Sequence, residues 1–227
     1  AVKFGDKGFG KRPDILQYEG DVKAFAEMGA TSFHASEERW KDPLQLRPGM
    51  LTKELDALRK GFDLVIDVDS KFLDYSKICA NLILEALKYH DISNFGVKFS
   101  GRAGFHIIIP FETFPKEING KPIASLFPEG ARVVANYIKH LMKDHLRKQL
   151  LQLSSLDEFS KNFEQAVVNT TLDPFKIVDI DSVLISSRHM FRMPYSINEK
   201  SGLVSIPLAH HEISTFSLNA AKVENVE

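Results

Sequence analysis

The chain has 227 residues and a mass of 25.6 kDa, room for one large domain or two small ones and for a sizeable core. Apolar residues make up 44% and charged residues 26%, which excludes disorder along the whole length. The formal net charge is −1, from 29 basic and 30 acidic side chains, which excludes a globally basic, histone-like binder but not a local basic groove.

In chain order, residues 1–20 carry Gly5, Gly8, Gly10, Pro13 and Gly20 and read as loop with short extended pieces. Residues 31–36 suit a strand, 41–50 a connecting loop with Pro43, Pro48 and Gly49, and 51–60 a short helix. Residues 62–69 alternate: Phe62, Leu64, Ile66 and Val68 take one face, Asp63, Val65, Asp67 and Asp69 the other. Asp74 then precedes a helical stripe of Tyr75, Ile78, Cys79, Leu82, Ile83, Ala86 and Leu87, in which Cys79 reads as a small buried side chain. As the single cysteine, it excludes an internal disulfide framework and a zinc site built on several cysteines. Residues 95–110 read as two strands around a tight turn at 100–104, and 111–128 as a proline-rich loop. Residues 129–151 form the longest helix; its basic stripe of Lys139, His140, Lys143 and Arg147 reads as a solvated face, with nucleic-acid contact as the alternative. Ser155 and Glu158 have capping-box spacing and open a helix over 155–168. Strands are expected at 175–181 and 202–208, and the polar last dozen residues are expected to fray. The alternation predicts an α+β or α/β domain with a mixed sheet and no linker. No apolar run reaches the roughly 18 residues of a membrane span, and no secretory signal opens the chain.

Three constellations carry chemistry. Asp67 and Asp69 end an apolar strand, and period two puts both carboxylates on one face. Like charges that close repel, and a divalent cation with oxygen ligands answers that repulsion; solvated edge carboxylates or a helix N-cap are the plainer readings. Ser100-Gly101-Arg102-Ala103-Gly104-Phe105-His106 joins two strands. Its glycines allow close approach of a ligand to the backbone, and Arg102 offers a planar fork for phosphate oxygens; a polar hairpin tip is the alternative. The third runs from Asp179 and Asp181 through Arg188, His189, Arg192, Pro194 and Ser196 to Lys200 and Gly202. Carboxylates followed by cations are what a metal–triphosphate site needs, although surface salt bridging would give the same composition.

In this order and at this separation, the three constellations resemble the motifs of the archaeo-eukaryotic primase superfamily, the catalytic small subunit of archaeal and eukaryotic DNA primases. Lys3-Phe4-Gly5 resembles the family's Arg-Glu-Phe opening more weakly. The resemblance implies one catalytic domain over residues 1–227 made of two packed α/β modules, one RRM-like, with the active site in the cleft between them. It implies template-directed nucleotidyl transfer on single-stranded DNA from NTP or dNTP. Asp67, Asp69 and Asp181 would be the catalytic residues, holding two divalent ions, Mg²⁺ or Mn²⁺. Asp181 is preferred to Asp179 because it lies nearer the Arg188 block. Ser100, Arg102, His106 and Arg192 would grip the triphosphate, with Arg188 and Lys200 adding to the cage. No zinc is expected. A primase large subunit is an expected partner, no membrane is, and the expected location is the cytoplasm of a prokaryote. A repair polymerase that extends but cannot initiate, and a non-catalytic binding subunit, are the alternatives. The chain departs from the pattern at Asn198, where the family often has His, and at Ala103, where eukaryotic relatives often have Arg. It opens with Ala1 almost at the first motif, as expected of a trimmed domain, a processed chain or a compact variant.

Overall fold

A computed structural model describes residues 1–226. In chain order, β1 (Val2–Lys3) leads to α1 (Gly20–Glu27), β2 (Ser32–Ser36) and β3 (Glu38–Trp40), and α2 (Thr52–Leu58) runs into β4 (Arg59–Phe62) and β5 (Leu64–Ser70). Next come α3 (Leu73–Tyr89), β6 (Gly96–Phe99), β7 (Phe105–Ile109), a ribbon of β8 (Glu117–Ile118) and β9 (Lys121–Pro122), then α4 (Glu129–Leu153) and α5 (Leu156–Asn162). A second ribbon, β10 (Val167–Val168) with β11 (Thr171–Leu172), precedes β12 (Val178–Ile180), β13 (Met190–Arg192) and β14 (Pro207–Leu208).

The larger sheet has the order β12-β5-β7-β6-β14. Apart from its edge strand β14, it is a β-α-β-β-α-β unit, β5-α3-β6-β7-α4-β12, the arrangement of ferredoxin-like and RNA-recognition folds. The alternation in β5 decides which side is core. Leu64, Ile66 and Val68 turn inward and, with Ile107, pack with Ile83, Leu87, Leu146 and Leu150 of α3 and α4. Each such buried side chain contributes about 1.5–3 kcal/mol. The opposite face, carrying Asp67 and Asp69, is left for the cleft. Every pairing among the described strands is antiparallel, which corrects the expected mixed sheet: β5 and β6 run the same way but β7 lies between them.

The smaller module is built on the sheet β1-β2-β13, backed by α1, whose Phe25 meets Phe33 edge-on at 6.5 Å. The capping box of Ser155 and Glu158 opens α5, which ends at Asn162, short of the expected 168, as the chain turns through positive φ at Gln165. The expected frayed tail is packed: Phe216 and Ala221 are buried, and the Ala221 carbonyl accepts from the Val204 amide at 2.7 Å. The basic stripe of α4 is partly spent on structure. Lys139 Nζ donates to the Ile180 carbonyl and Arg147 Nε to the Leu172 carbonyl, both at 2.8 Å. No helix among the described residues is long and apolar enough to cross a membrane.

Between the modules, β3 pairs with β4 and sets Glu38 against Arg59 in a buried ion pair at 2.7 Å; Glu38 also accepts from the Arg188 amide, and Arg59 also donates to Ser187 Oγ. Beside it, Glu37 is buried, and neither carboxylate oxygen reaches a hydrogen-bond partner among the described residues. Burial pushes its carboxyl up to about 8; the Glu38 charge adds to this, and the nearby Ser186 and Val65 amides only temper it. The folded state therefore holds a proton that the unfolded state, at 4.5, releases. This weakens the fold at neutral pH, and the penalty disappears as pH falls to the unfolded value. Glu37→Gln is expected to stabilise the protein by about 3 kcal/mol at pH 7, at 1.36 kcal/mol per unit, with the gain lost near pH 4. Thermal unfolding of both proteins across this range checks it. A gain independent of pH would assign it to packing instead.

Candidate active site

The register of the larger sheet lines up a row of charged side chains on the cleft face. Asp179 of β12 lies directly across from Asp69 of β5, Asp67 across from His106 of β7, and His106 across from Lys98 of β6. Directly opposed residues share a face, so the row is fixed by backbone pairing before any side chain is considered. His106 Nε2 stands 3.4 Å from Asp67 Oδ1, while its buried Nδ1 has no partner among the described residues. Lys98, also buried, donates from Nζ to Ser205 Oγ at 3.0 Å, and Ser205 Oγ in turn donates to the Phe99 carbonyl at 2.6 Å.

The turn between β6 and β7 is laid against the end of β5. The Ser100 amide donates to the Gly104 carbonyl at 2.9 Å and closes the loop, leaving Arg102 exposed. Gly101 has φ +103, a conformation that disfavours other residues, and an added Cβ there would meet the Asn198 Cβ at 3.0 Å. The lack of a side chain here lets the loop of one module lie close against the last motif of the other. Ser201 Oγ adds a hydrogen bond to the Gly101 carbonyl at 2.5 Å.

The facing wall comes from the smaller module. Arg192 of β13 pairs with His34 of β2, donates from Nε to Ser32 Oγ at 3.3 Å and meets Glu199 at 3.1 Å. Lys3 of β1 reaches the same Glu199 at 3.0 Å. One cavity of about 380 Å³ is lined by Asp67, Asp69, Ser100, Arg102 and His106 on one side and by Lys3, His34, His189, Arg192, Asn198, Glu199 and Lys200 on the other.

The electrostatics divide the carboxylates. Burial opposes ionisation of Asp67, but His106, Lys98 and His189 outweigh it and hold this carboxyl below the usual range. Asp69 is pushed up, by burial first and then by the Asp67 charge. Asp179 is pushed up by burial, by Asp181 and by Asp67. His106 is pushed down, by burial and by Lys98 against the pull of Asp67, and so is neutral at neutral pH. Asp67 Oδ1 is positioned to accept from Nε2 of the tautomer that carries its proton there.

Among the described residues no three His, Cys, Asp or Glu side chains are already gathered into an ion cage. The donor chemistry nevertheless fits a hard divalent cation. Asp67, Asp69 and Asp179 are oxygen donors at register positions of one face, and Asp69 and Asp179 are raised by burial first and then by neighbouring negative charge, which a cation would relieve.

Of the residues singled out in the sequence, Asp67, Asp69, Ser100, Arg102, His106, Arg192 and Lys200 meet in the cavity. Two are placed differently. Arg188 turns away: its backbone has φ +69, and its guanidinium donates to the Met50 carbonyl. Asp181 lies just past the end of β12, and its Oδ1 accepts from the Val183 and Leu184 amides at 2.8 and 3.3 Å, whereas Asp179 holds the position opposite Asp69. The sequence reading missed Lys98 and Glu199. Lys98 is a lysine within an apolar strand, and that interruption was its available signal.

The DNA primase small subunit family matches residues 63–209 of this chain. An uncharacterized protein of Methanocaldococcus jannaschii is 25% identical over 200 residues, covering 86% of this chain and 41% of that protein. The DNA primase small subunit of Pyrobaculum islandicum is 28% identical over 197 residues, covering 74% of this chain and 58% of its own length. The chain thus spans about half the length of these relatives. Among solved structures, the polymerase domain of Mycobacterium tuberculosis ligase D in complex with DNA superposes with a TM-score of 0.53 at 18% identity, over 97% of this chain and 69% of that one, a likeness of fold.

Proposed function

The chain belongs to the DNA primase small subunit family, and from that premise we propose that it is a template-directed nucleotidyltransferase. A 3′-hydroxyl, on a primer end or on a first bound nucleotide, attacks the α-phosphate of an NTP or dNTP paired to single-stranded DNA, and pyrophosphate leaves. The observation that carries this reading is the single cavity in which Asp67 and Asp69 face Ser100, Arg102, Arg192 and Lys200.

The division of labour follows from position. Arg102 and Lys200 are exposed at the rim and free to close on phosphate oxygens. Arg192 is held in place by Ser32 and Glu199, so its remaining donors are oriented before a ligand arrives. His106 acts on Asp67, keeping it ionised, and its phosphate contact is secondary. Asp67, Asp69 and Asp179 would hold Mg²⁺ or Mn²⁺, which when bound lowers the pKa of the attacking hydroxyl and neutralises charge on the leaving group. The name of the Pyrobaculum relative, a small subunit, supports including a larger partner subunit in the proposal.

The test is a gel assay with single-stranded DNA, Mg²⁺ or Mn²⁺ and labelled NTPs or dNTPs, with and without a primer. Products without a primer are expected of an initiating enzyme, and products only with a primer would narrow the activity to extension. No product under any condition would remove the reading. In the same assay Arg102→Ala is expected to raise the nucleotide KM about 10- to 100-fold with a smaller change in kcat, the loss of one charge-assisted hydrogen bond. An unchanged KM would take Arg102 out of the phosphate grip.

A further inference from the structure

The cavity does not end at the phosphate-gripping residues. His34 and Met190 also line a second concavity of about 340 Å³ behind it. Trp40, Leu46 and Met190 carry that one into a third, of about 360 Å³. The three form one groove along the β2–β13 sheet, whose register sets Arg192 beside His34 and Met190 beside Ser36 on the same face.

The groove changes character along its length. At the site end it has the cations already described. Its middle is mostly apolar and polarisable, with Met190, Leu46 and the half-buried Trp40 beside two carboxylates, Asp14 and Glu38, the second of them neutralised by Arg59. Among the described residues its far lining holds three arginines, Arg12, Arg47 and Arg188, and no carboxylate. Arg47 touches Glu54 at 2.8 Å yet stays 70% exposed, and Arg12 and Arg188 are exposed as well. A mononucleotide needs cations at one end only. A second set of cations, beyond a flat apolar wall, matches a polymer with a phosphate at every base.

We infer that this groove carries the single-stranded template, with bases against Trp40 and Met190 and phosphates on Arg12, Arg47 and Arg188, and that it presents the templating base past His34 to the nucleotide site. The inference rests on the nucleotidyl-transfer reading above. It also gives a place to Arg188, which the motif assigned to the triphosphate and the backbone turned away from it.

Trp40 is the chain's only tryptophan, so its emission reports on this groove alone. The test titrates the full chain with an end-labelled oligothymidylate, following label anisotropy and tryptophan emission together at several salt concentrations, and repeats this with Arg47→Gln and Arg188→Gln. A labelled NTP is titrated separately into the parent protein and Arg102→Ala. The expected result is an emission change that tracks anisotropy, with the slope of log K against log salt reduced by about 0.7 in each arginine variant. A rise in anisotropy with unchanged emission and unchanged slopes would place the strand elsewhere and overturn the inference. An emission change with the NTP alone would make the groove a mononucleotide site and overturn it too. If the NTP binds in an Arg102-dependent way while the oligothymidylate leaves Trp40 unaffected, the groove assignment fails and the nucleotidyl-transfer reading survives. If neither ligand binds, both fail.

Discussion

Asp67→Ala is expected to lower nucleotidyl transfer at least about a thousandfold while leaving the sheet folded. Several kcal/mol of charge stabilisation is at stake, and each 1.36 kcal/mol is a factor of ten. The fold should tolerate the change because Asp67 faces the cleft and the core row of β5 is Leu64, Ile66 and Val68. His106 then loses the neighbour that raises its pKa, so the variant also titrates differently at this imidazole, which a proton NMR titration would follow. The same assay separates the two candidates for the third carboxylate. Asp179→Ala should approach the Asp67→Ala loss, since Asp179 sits opposite Asp69 in register. Asp181→Ala should cost far less activity, because Asp181 Oδ1 is committed to the amides of Val183 and Leu184. Equal activities for the Asp179 and parent proteins would return the role to Asp181.

How much was legible in the sequence depended on the kind of order involved. The turn at 100–104 and the capping box at Ser155 are local patterns that stand where turn chemistry places them, and the alternation over 62–69 holds from Leu64 on as β5, with Phe62 closing β4 and a break at Asp63. The seven site residues that meet in the cavity were legible because their motifs end strands or turns that the cleft gathers. The choice between Asp179 and Asp181 was not legible. Two residues apart on a strand, they share a face, and only pairing with β5 tells which one opposes Asp69. The placement of Arg188 outside the cavity was not legible either, because a non-glycine residue at positive φ reverses the chain where composition alone suggests continuity with Arg192. The tail was misread for a similar reason: its composition is polar, but Phe216 and Ala221 are placed to anchor it.

Gly104→Ala is expected to uncouple the Ser100–Gly104 loop, proposed above to grip phosphate, from the carboxylate strand. A Cβ at this position would lie 2.1 Å from the Val68 carbonyl oxygen and 3.2 Å from the Asp69 Cα, so backbone and not a flexible side-chain end must give way. The loop is tied at both ends. The Gly104 carbonyl receives the Ser100 amide, and Phe105 begins β7, buried in the core and paired with Val68. Relief therefore comes from displacing the Ser100–Gly104 turn, with Arg102 at its tip, or from bending the end of β5 that presents Asp69. The expected cost is about 1–3 kcal/mol of stability from overpacking, measured by denaturant unfolding. A displacement of about 1 Å is also enough for about a hundredfold loss of turnover. Gly96→Ala is the matched control: it lies in the neighbouring strand of the same sheet, an added Cβ meets nothing within 4 Å among the described residues, and its stability should change by no more than about 0.5 kcal/mol. If Gly104→Ala turns over like the parent while showing the stability loss, β5 and the loop move together. The close approach would then serve packing alone, and Arg102 would be positioned by its contacts across the cleft through Gly101 and Asn198.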